Sequence, residues 1–184
     1  AQGEGGELLE GLPTDGIAVI NADDPCVALM EAAAGGRRCL RFGIEATNVD
    51  VAAESIVAEP AQAPTGMRFT LYLGEARVPV QLPLPGRHNV YNALAAAAAG
   101  HALGIAPAAI AEGLRRVQPV QGRLIWRDGV VGCRVLDDSY NANPDSLAAG
   151  IAVLAQSQGT RALVLGDMAE LGATAEAHHT EAGR

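Results

Sequence analysis

Asp137-Asp138-Ser139-Tyr140-Asn141-Ala142-Asn143-Pro144-Asp145-Ser146 joins an apolar run, Val130 to Leu136, to an amphipathic one, Leu147 to Leu154. The first run predicts a strand. The second predicts a helix, because Leu147, Ile151 and Leu154 recur at i, i+4 and i+7. Asn143 is a favoured N-cap, Pro144 suits the first helical position, and Asp145 sits where the helix dipole favours an anion. A strand leading through a polar turn into a helix makes the fold class α/β. In open α/β sheets ligands gather outside the carboxyl ends of strands, where this turn lies. The turn carries more polar groups than a connection needs, so it is a candidate site; an elaborate cap with an Asx-turn is the competing reading.

Working outward, a strand near Leu124–Arg127 precedes the turn, and the apolar Arg161–Leu165 after its helix predicts a further strand, completing a βαβ unit with its own sheet. Gln118-Pro119-Val120-Gln121-Gly122 reads as a linker, which places a domain boundary near residue 120. Two parts follow, 1–120 and 121–184. In the first part, Gly16–Ile20 and Cys39–Phe42 predict strands joined by a helix from Pro25 to Ala34, capped by Asp24 and stopped by Gly35-Gly36. That βαβ unit implies a parallel sheet. Asp50–Glu59, Gly66–Leu73 and Ala76–Leu82 predict a small antiparallel meander beside it, with Gly74-Glu75 as a tight hairpin. Leu82-Pro83-Leu84-Pro85-Gly86 is too rich in proline for a central strand. It leads into a helix from His88 to Leu103, and Pro107 opens another.

The composition excludes several function classes. A formal net charge of −8 argues against a nucleic-acid or anionic-membrane surface, both of which need clustered Lys and Arg. No run approaches the roughly 20 apolar residues of a membrane span, so no membrane insertion is expected. Cys26, Cys39 and Cys133 are far apart with no C-x-x-C, and read as reduced thiols of a cytoplasmic protein. The chain starts at Ala1 and stops at Arg184 inside a helical pattern, so a segment of a longer protein is expected.

Four constellations can carry chemistry. In Gly86-Arg87-His88-Asn89-Val90-Tyr91-Asn92, Asn89 and Asn92 share the first turn of a helix with His88 at its mouth. Asn offers donor and acceptor atoms for a purine edge or a ribose, and a helix N-terminus favours phosphate; the same residues can also serve only as a cap. Arg123, after the linker, has the planar fork that suits a phosphate, and a hinge position would let it swing onto one. In the quoted turn, Asp138 can hold a ribose hydroxyl or a metal-bound water, with Tyr140, Asn141 and Asn143 as further hydrogen-bonding groups. Gly166-Asp167-Met168-Ala169-Glu170-Leu171-Gly172, followed by His178-His179, has acids and histidines but no zinc spacing, so no metal ligands are expected. There is no G-x-x-x-x-G-K-S/T and no G-x-S-x-G, so no complete catalytic apparatus is present.

Together and in this order, L-P-G-R-H-N-x-x-N-A-L-A-A-A, G-R-L, D-D-S-Y-N-A-N-P-D-S and G-D-M-A-E-L-G resemble the Mur ligases of peptidoglycan synthesis. The resemblance runs from about Glu7 to the end and includes Asn21-Ala22-Asp23-Asp24-Pro25. It implies the back half of a P-loop-type central ATPase domain over 1–120 and the start of a Rossmann-like C-terminal domain over 121–184. It also implies an ATP-dependent amide ligase. ATP phosphorylates a carboxylate, and an amine attacks the acyl phosphate to give amide, ADP and phosphate. The last two motifs point to D-Ala-D-Ala as the amine and a UDP-MurNAc-tripeptide as the acid, in an enzyme acting as a monomer. Carried over by motif, Asn89 and Asn92 contact adenine and ribose beside His88. Arg123 reaches the ATP phosphates and Asp138 the ribose side, both as catalytic residues, while Tyr140, Asn141 and Asn143 line the same site.

Two departures accompany the resemblance. The P-loop, the Mg2+ ligands and the catalytic histidine of the family lie upstream of this stretch. Gly5 stands just before Gly6-Glu7, where the family carries a lysine that becomes carbamylated to position magnesium. Two other readings stay open: a sister Mur ligase or folylpolyglutamate-synthase-like ligase, and a non-catalytic binding module that kept the fold. The segment alone is expected to be inactive.

Overall fold

The computed structural model describes residues 4–60, 64–169 and 171–182. Its α/β chain divides into two compact units, one of residues 1–56, 68–81 and 90–116, the other of 57–67, 82–89 and 117–184.

The first unit begins with α1 (Glu4–Glu10), β1 (Ile17–Asn21), α2 (Val27–Ala33) and β2 (Arg38–Gly43). β1 and β2 pair in parallel, from Ile17 opposite Arg38 to Asn21 opposite Phe42, as the βαβ reading requires. α2 starts two residues later than expected. The Asp24 carboxylate accepts from the Cys26 amide at 2.7 Å, so Pro25 lies inside an Asx-type turn ahead of the helix. Ala18, Ile20 and Ala34 form a buried cluster, and Leu9, Leu12, Val27, Met30 and Cys39 pack against it.

β3 (Val51–Glu59), β4 (Gly66–Leu73) and β5 (Ala76–Leu82) fall where their punctuation predicts. They stand beside the parallel pair, as expected, but are joined to it rather than forming a separate meander. One five-stranded sheet runs β1-β2-β3-β4-β5, with β3 parallel to β2 through Phe42–Val51 and Gly43–Ala52. The β3–β4 and β4–β5 connections are too short for a parallel crossover, so the sheet is mixed. α3 (Arg87–Ala102) and α4 (Pro107–Arg115) follow. Ala93, Ala97 and Ala98 bury small side chains, and a Cβ on Gly100 would come within 3.2 Å of Ile110 on α4. Such close approach is what an alanine-rich helix permits.

In the second unit β6 (Ile125–Asp128) and β7 (Arg134–Asp137) form a two-stranded antiparallel sheet, with Ile125 opposite Asp137. The apolar run 130–136 is therefore not one strand. Val130–Gly132 form a 3-10 turn with Val131 at φ 51°, closed by the Gly129 amide donating to the Cys133 carbonyl at 2.9 Å. α5 (Pro144–Ala155) and α6 (Ala175–Ala182) complete the described elements. Arg161–Leu165 is not a strand: Leu163, Val164 and Leu165 are 51%, 95% and 38% exposed in irregular chain. A strand in a parallel sheet is stable when both faces are covered, and every residue of this run is exposed. Among the described residues no helix is long and apolar enough to cross a membrane.

Candidate nucleotide site

The quoted turn is built from the backbone outward. Gly122 adopts φ +74°, and its carbonyl accepts from the Tyr140 amide at 3.0 Å. A Cβ there would lie 3.1 Å from that same amide nitrogen, so glycine is required twice, by conformation and by space. The next residue, Arg123, lays its guanidinium over the Tyr140 ring at 4.2 Å. Leu124 is buried at φ 51° and donates its amide to Asp138 Oδ1 at 3.2 Å. The linker end and the turn thus fold as one piece.

The two aspartates of the turn differ in what surrounds them. Asp137 accepts from the Ser139 hydroxyl at 2.7 Å and from Arg127 Nε at 2.8 Å, which hold its carboxyl below the usual carboxylate range. Asp138 is half-buried. Desolvation pushes its carboxyl up, against the Leu124 amide and the charges of His88 and Arg123, and Asp137 adds to the rise. Gly150 on α5 faces it: a Cβ there would stand 3.2 Å from Asp138 Oδ2. The sequence reading missed Gly150. A glycine inside an otherwise helical pattern was the available signal.

Beyond the turn, Asn143 caps α5. Its Oδ1 accepts from the Ser146 amide at 2.8 Å, and the Ser146 hydroxyl accepts from the Asn143 amide at 3.0 Å, a reciprocal capping box. Asn141 Oδ1 accepts from the Ala142 amide at 2.9 Å. The capping reading of the turn therefore holds for these two oxygens, which serve the backbone.

At the start of α3, Gly86 has φ +95°, and a Cβ on it would meet the His88 ring at 2.5 Å and Val153 of α5 at 3.0 Å. Burial pushes the His88 imidazole below its ordinary value, against the pull of Asp138. Asn89 Nδ2 donates to the Pro85 carbonyl at 2.7 Å, fastening the helix start to its lead-in loop. His88, Asn89, Arg123, Asp138, Tyr140, Asn141 and Asn143 belong to one compact unit, while Asn92 belongs to the other. In the fourth motif, Glu170 lies outside the described residues. His179 Nε2 accepts from the Met168 amide at 3.1 Å, and its Nδ1 lies 2.8 Å from the Ala175 carbonyl, so this imidazole fastens the motif to α6.

A strand-end carboxylate that accepts, an arginine on an aromatic face that donates and an asparagine-bearing helix start are hydrogen-bonding groups of the kinds that suit a nucleotide. The sequence profile of the Mur ligase middle domain matches residues 4–100, and that of the Mur ligase glutamate ligase domain matches 122–184. The chain belongs to the Mur ligase family. Within it, the chain is 44% identical over 178 residues to UDP-N-acetylmuramoyl-tripeptide–D-alanyl-D-alanine ligase of Escherichia coli K12, covering 97% of this chain and 38% of that enzyme. It superposes on a crystal structure of MurF from Acinetobacter baumannii with TM-score 0.89 at 33% identity, covering 97% of this chain and 38% of that one. The MurF ligase of Thermotoga maritima, solved in complex with ADP, gives TM-score 0.80 at 25% identity over 96% of this chain and 39% of that one. The chain thus spans about two fifths of the length of the relatives it matches.

Proposed function

We propose that this chain is part of an ATP-dependent amide ligase of peptidoglycan precursor synthesis, which joins D-Ala-D-Ala to a UDP-MurNAc-tripeptide through an acyl phosphate. Residues 1–120 belong to its central ATPase domain and 121–184 to its Rossmann-like C-terminal domain, in an enzyme that works as a monomer in the cytoplasm. The likeness to the E. coli ligase over 97% of the chain supports the reaction. The observation that carries the site is Asp138, a half-buried carboxylate held by one backbone amide and given room by Gly150.

The residues present fit a nucleotide. Asp138 keeps acceptor capacity for ribose hydroxyls, since a carboxylate has about four lone-pair sites and Leu124 uses one. Arg123 is exposed, and leaving the Tyr140 face for a phosphate costs only about 1 kcal/mol of cation–π contact. Asn92 has the amide chemistry that suits the base or ribose. ATP, as substrate, supplies the transferable phosphoryl group, and the role of these side chains is to position it and to stabilise charge. Magnesium is assigned no ligand here, because no three His, Cys, Asp or Glu side chains gather among the described residues.

The test is turnover in the complete ligase carrying this chain. Arg123→Ala and Asp138→Ala are each expected to lower ligation by roughly two orders of magnitude while moving the thermal midpoint little. Unchanged turnover in either variant removes that residue from the site. One observation favours a second reading, a non-catalytic module: Gly5, within α1, stands where the family carries its carbamylated lysine. A complete wild-type protein that shows no ATP turnover would support it.

A further inference from the structure

The Asp23 carboxylate of the first unit accepts four hydrogen bonds, and the ligand reading gives it no part. It follows β1, where the Ala22 amide extends the ladder to the Phe42 carbonyl at 2.7 Å and Asn21 Oδ1 accepts from the Asp23 amide at 3.1 Å. Its carboxylate accepts from the backbone amides of Ile44 at 2.6 Å, Glu45 at 3.0 Å and Ala46 at 2.6 Å. Gly43 leaves room for it, since a Cβ there would stand 3.1 Å from Oδ1. A fourth bond comes from 68 residues away: Tyr91 Oη on α3 donates to Oδ2 at 2.8 Å.

Three backbone amides already close the segment after β2, so that loop does not need the tyrosine. What the hydroxyl fixes is the helix. α3 packs through Val90, Ala93, Leu94, Ala97 and Ala98, and a face made largely of alanine has shallow ridges that resist rotation and sliding weakly. A hydrogen bond near its N-terminal end fixes the helix phase. The next residue, about 100° round the axis, is the exposed Asn92.

We infer that Asp23 and Tyr91 are positioning residues that fix the angle at which α3 presents Asn92 to the nucleotide. The inference rests on the assignment of Asn92 to that site.

Steady-state kinetics of the complete ligase test it, with ATP as the varied substrate. Tyr91→Phe keeps the ring and its packing, and is expected to raise the KM for ATP roughly three- to tenfold. kcat at saturating ATP and the thermal midpoint should change little. Asn92→Ala should raise the same KM, and the double variant should be no worse than Asn92→Ala alone, because Tyr91 acts through Asn92. A Tyr91→Phe enzyme with a lowered midpoint and unchanged KM would overturn the inference alone, as would effects of the two substitutions that multiply independently. An Asn92→Ala enzyme with wild-type KM would overturn both the inference and the assignment beneath it.

Discussion

Asp23 and Asp138 both sit just past the carboxyl end of a strand, and their surroundings push them in opposite directions. At Asp23 burial raises the carboxyl, but the amides of Glu45, Ile44 and Ala46 and the Tyr91 hydroxyl outweigh it, and the net shift is downward. At Asp138 burial prevails over a single amide and two nearby cations, and the net shift is upward. The linkage signs follow. A depressed carboxyl contributes stability above its unfolded value of 3.8 that is lost as the pH falls through the lower folded value. A raised one costs stability when ionised, and the cost disappears as the pH falls through the folded value towards 3.8. At pH 7, Asp23→Asn should therefore lower the thermal midpoint of the chain by roughly 5 °C, since its amide nitrogen must face backbone donors. Asp138→Asn, whose oxygen can still accept from Leu124, should leave the midpoint unchanged or raise it. Equal losses in thermal scans of both variants would contradict this account. Asp138 was legible in the sequence because its turn is crowded with polar residues. Asp23 was not, because its partners are mostly backbone amides more than 20 residues away, and an amide carries no residue identity.

The elements that local chemistry specifies are the ones the sequence predicts well. Gly74 punctuates β4 and β5, while Gly104 and Pro107 separate α3 from α4. α5 carries its own start signal in Asn143-Pro144-Asp145-Ser146, and the capping box forms from those residues. Replacing Asn143 by Ala should cost about 1 kcal/mol, or roughly 3 °C in the midpoint of a chain this size. Asn143→Asp, which keeps the accepting oxygen, should restore most of it; thermal scans that show no loss for the alanine variant would make the cap irrelevant. One turn marked by its own glycines was missed, and so were the elements that depend on distant partners. Val130-Val131 is apolar and β-branched, yet glycines at 129 and 132 let it fold into a turn. Arg161–Leu165 has the composition of a buried strand, and whether such a run becomes one depends on what covers its faces, which no local pattern encodes. The same limit hid the single continuous sheet, because strand order is a long-range property.

For the whole molecule, the question is how much of an ATP site 184 residues can supply. All 13 basic residues are arginine, so the chain has no lysine at all, neither one to reach the phosphates from a P-loop nor one to be carbamylated. With no G-x-x-x-x-G-K-S/T it also lacks the backbone cradle that holds most of the triphosphate charge. Of the side chains proposed for the nucleotide, the chain supplies Asp138 and Asn92 towards base and ribose and Arg123 towards one phosphate, each taken as a separate contact. Three contacts of about 1.5–3 kcal/mol each, the range for bonds to charged groups, sum to at most about 9 kcal/mol. Association costs at least about 4 kcal/mol in lost translation and rotation, which leaves at most about 5 kcal/mol. That corresponds to a Kd no tighter than a few tenths of a millimolar, whereas micromolar binding needs about 8 kcal/mol. Titration of the isolated chain with ATP in a calorimeter should therefore show no saturable micromolar binding, and incubation with ATP should release no phosphate. A micromolar isotherm would mean that this chain holds phosphate-binding groups beyond the proposed Arg123, and the proposed division of labour would have to be redrawn.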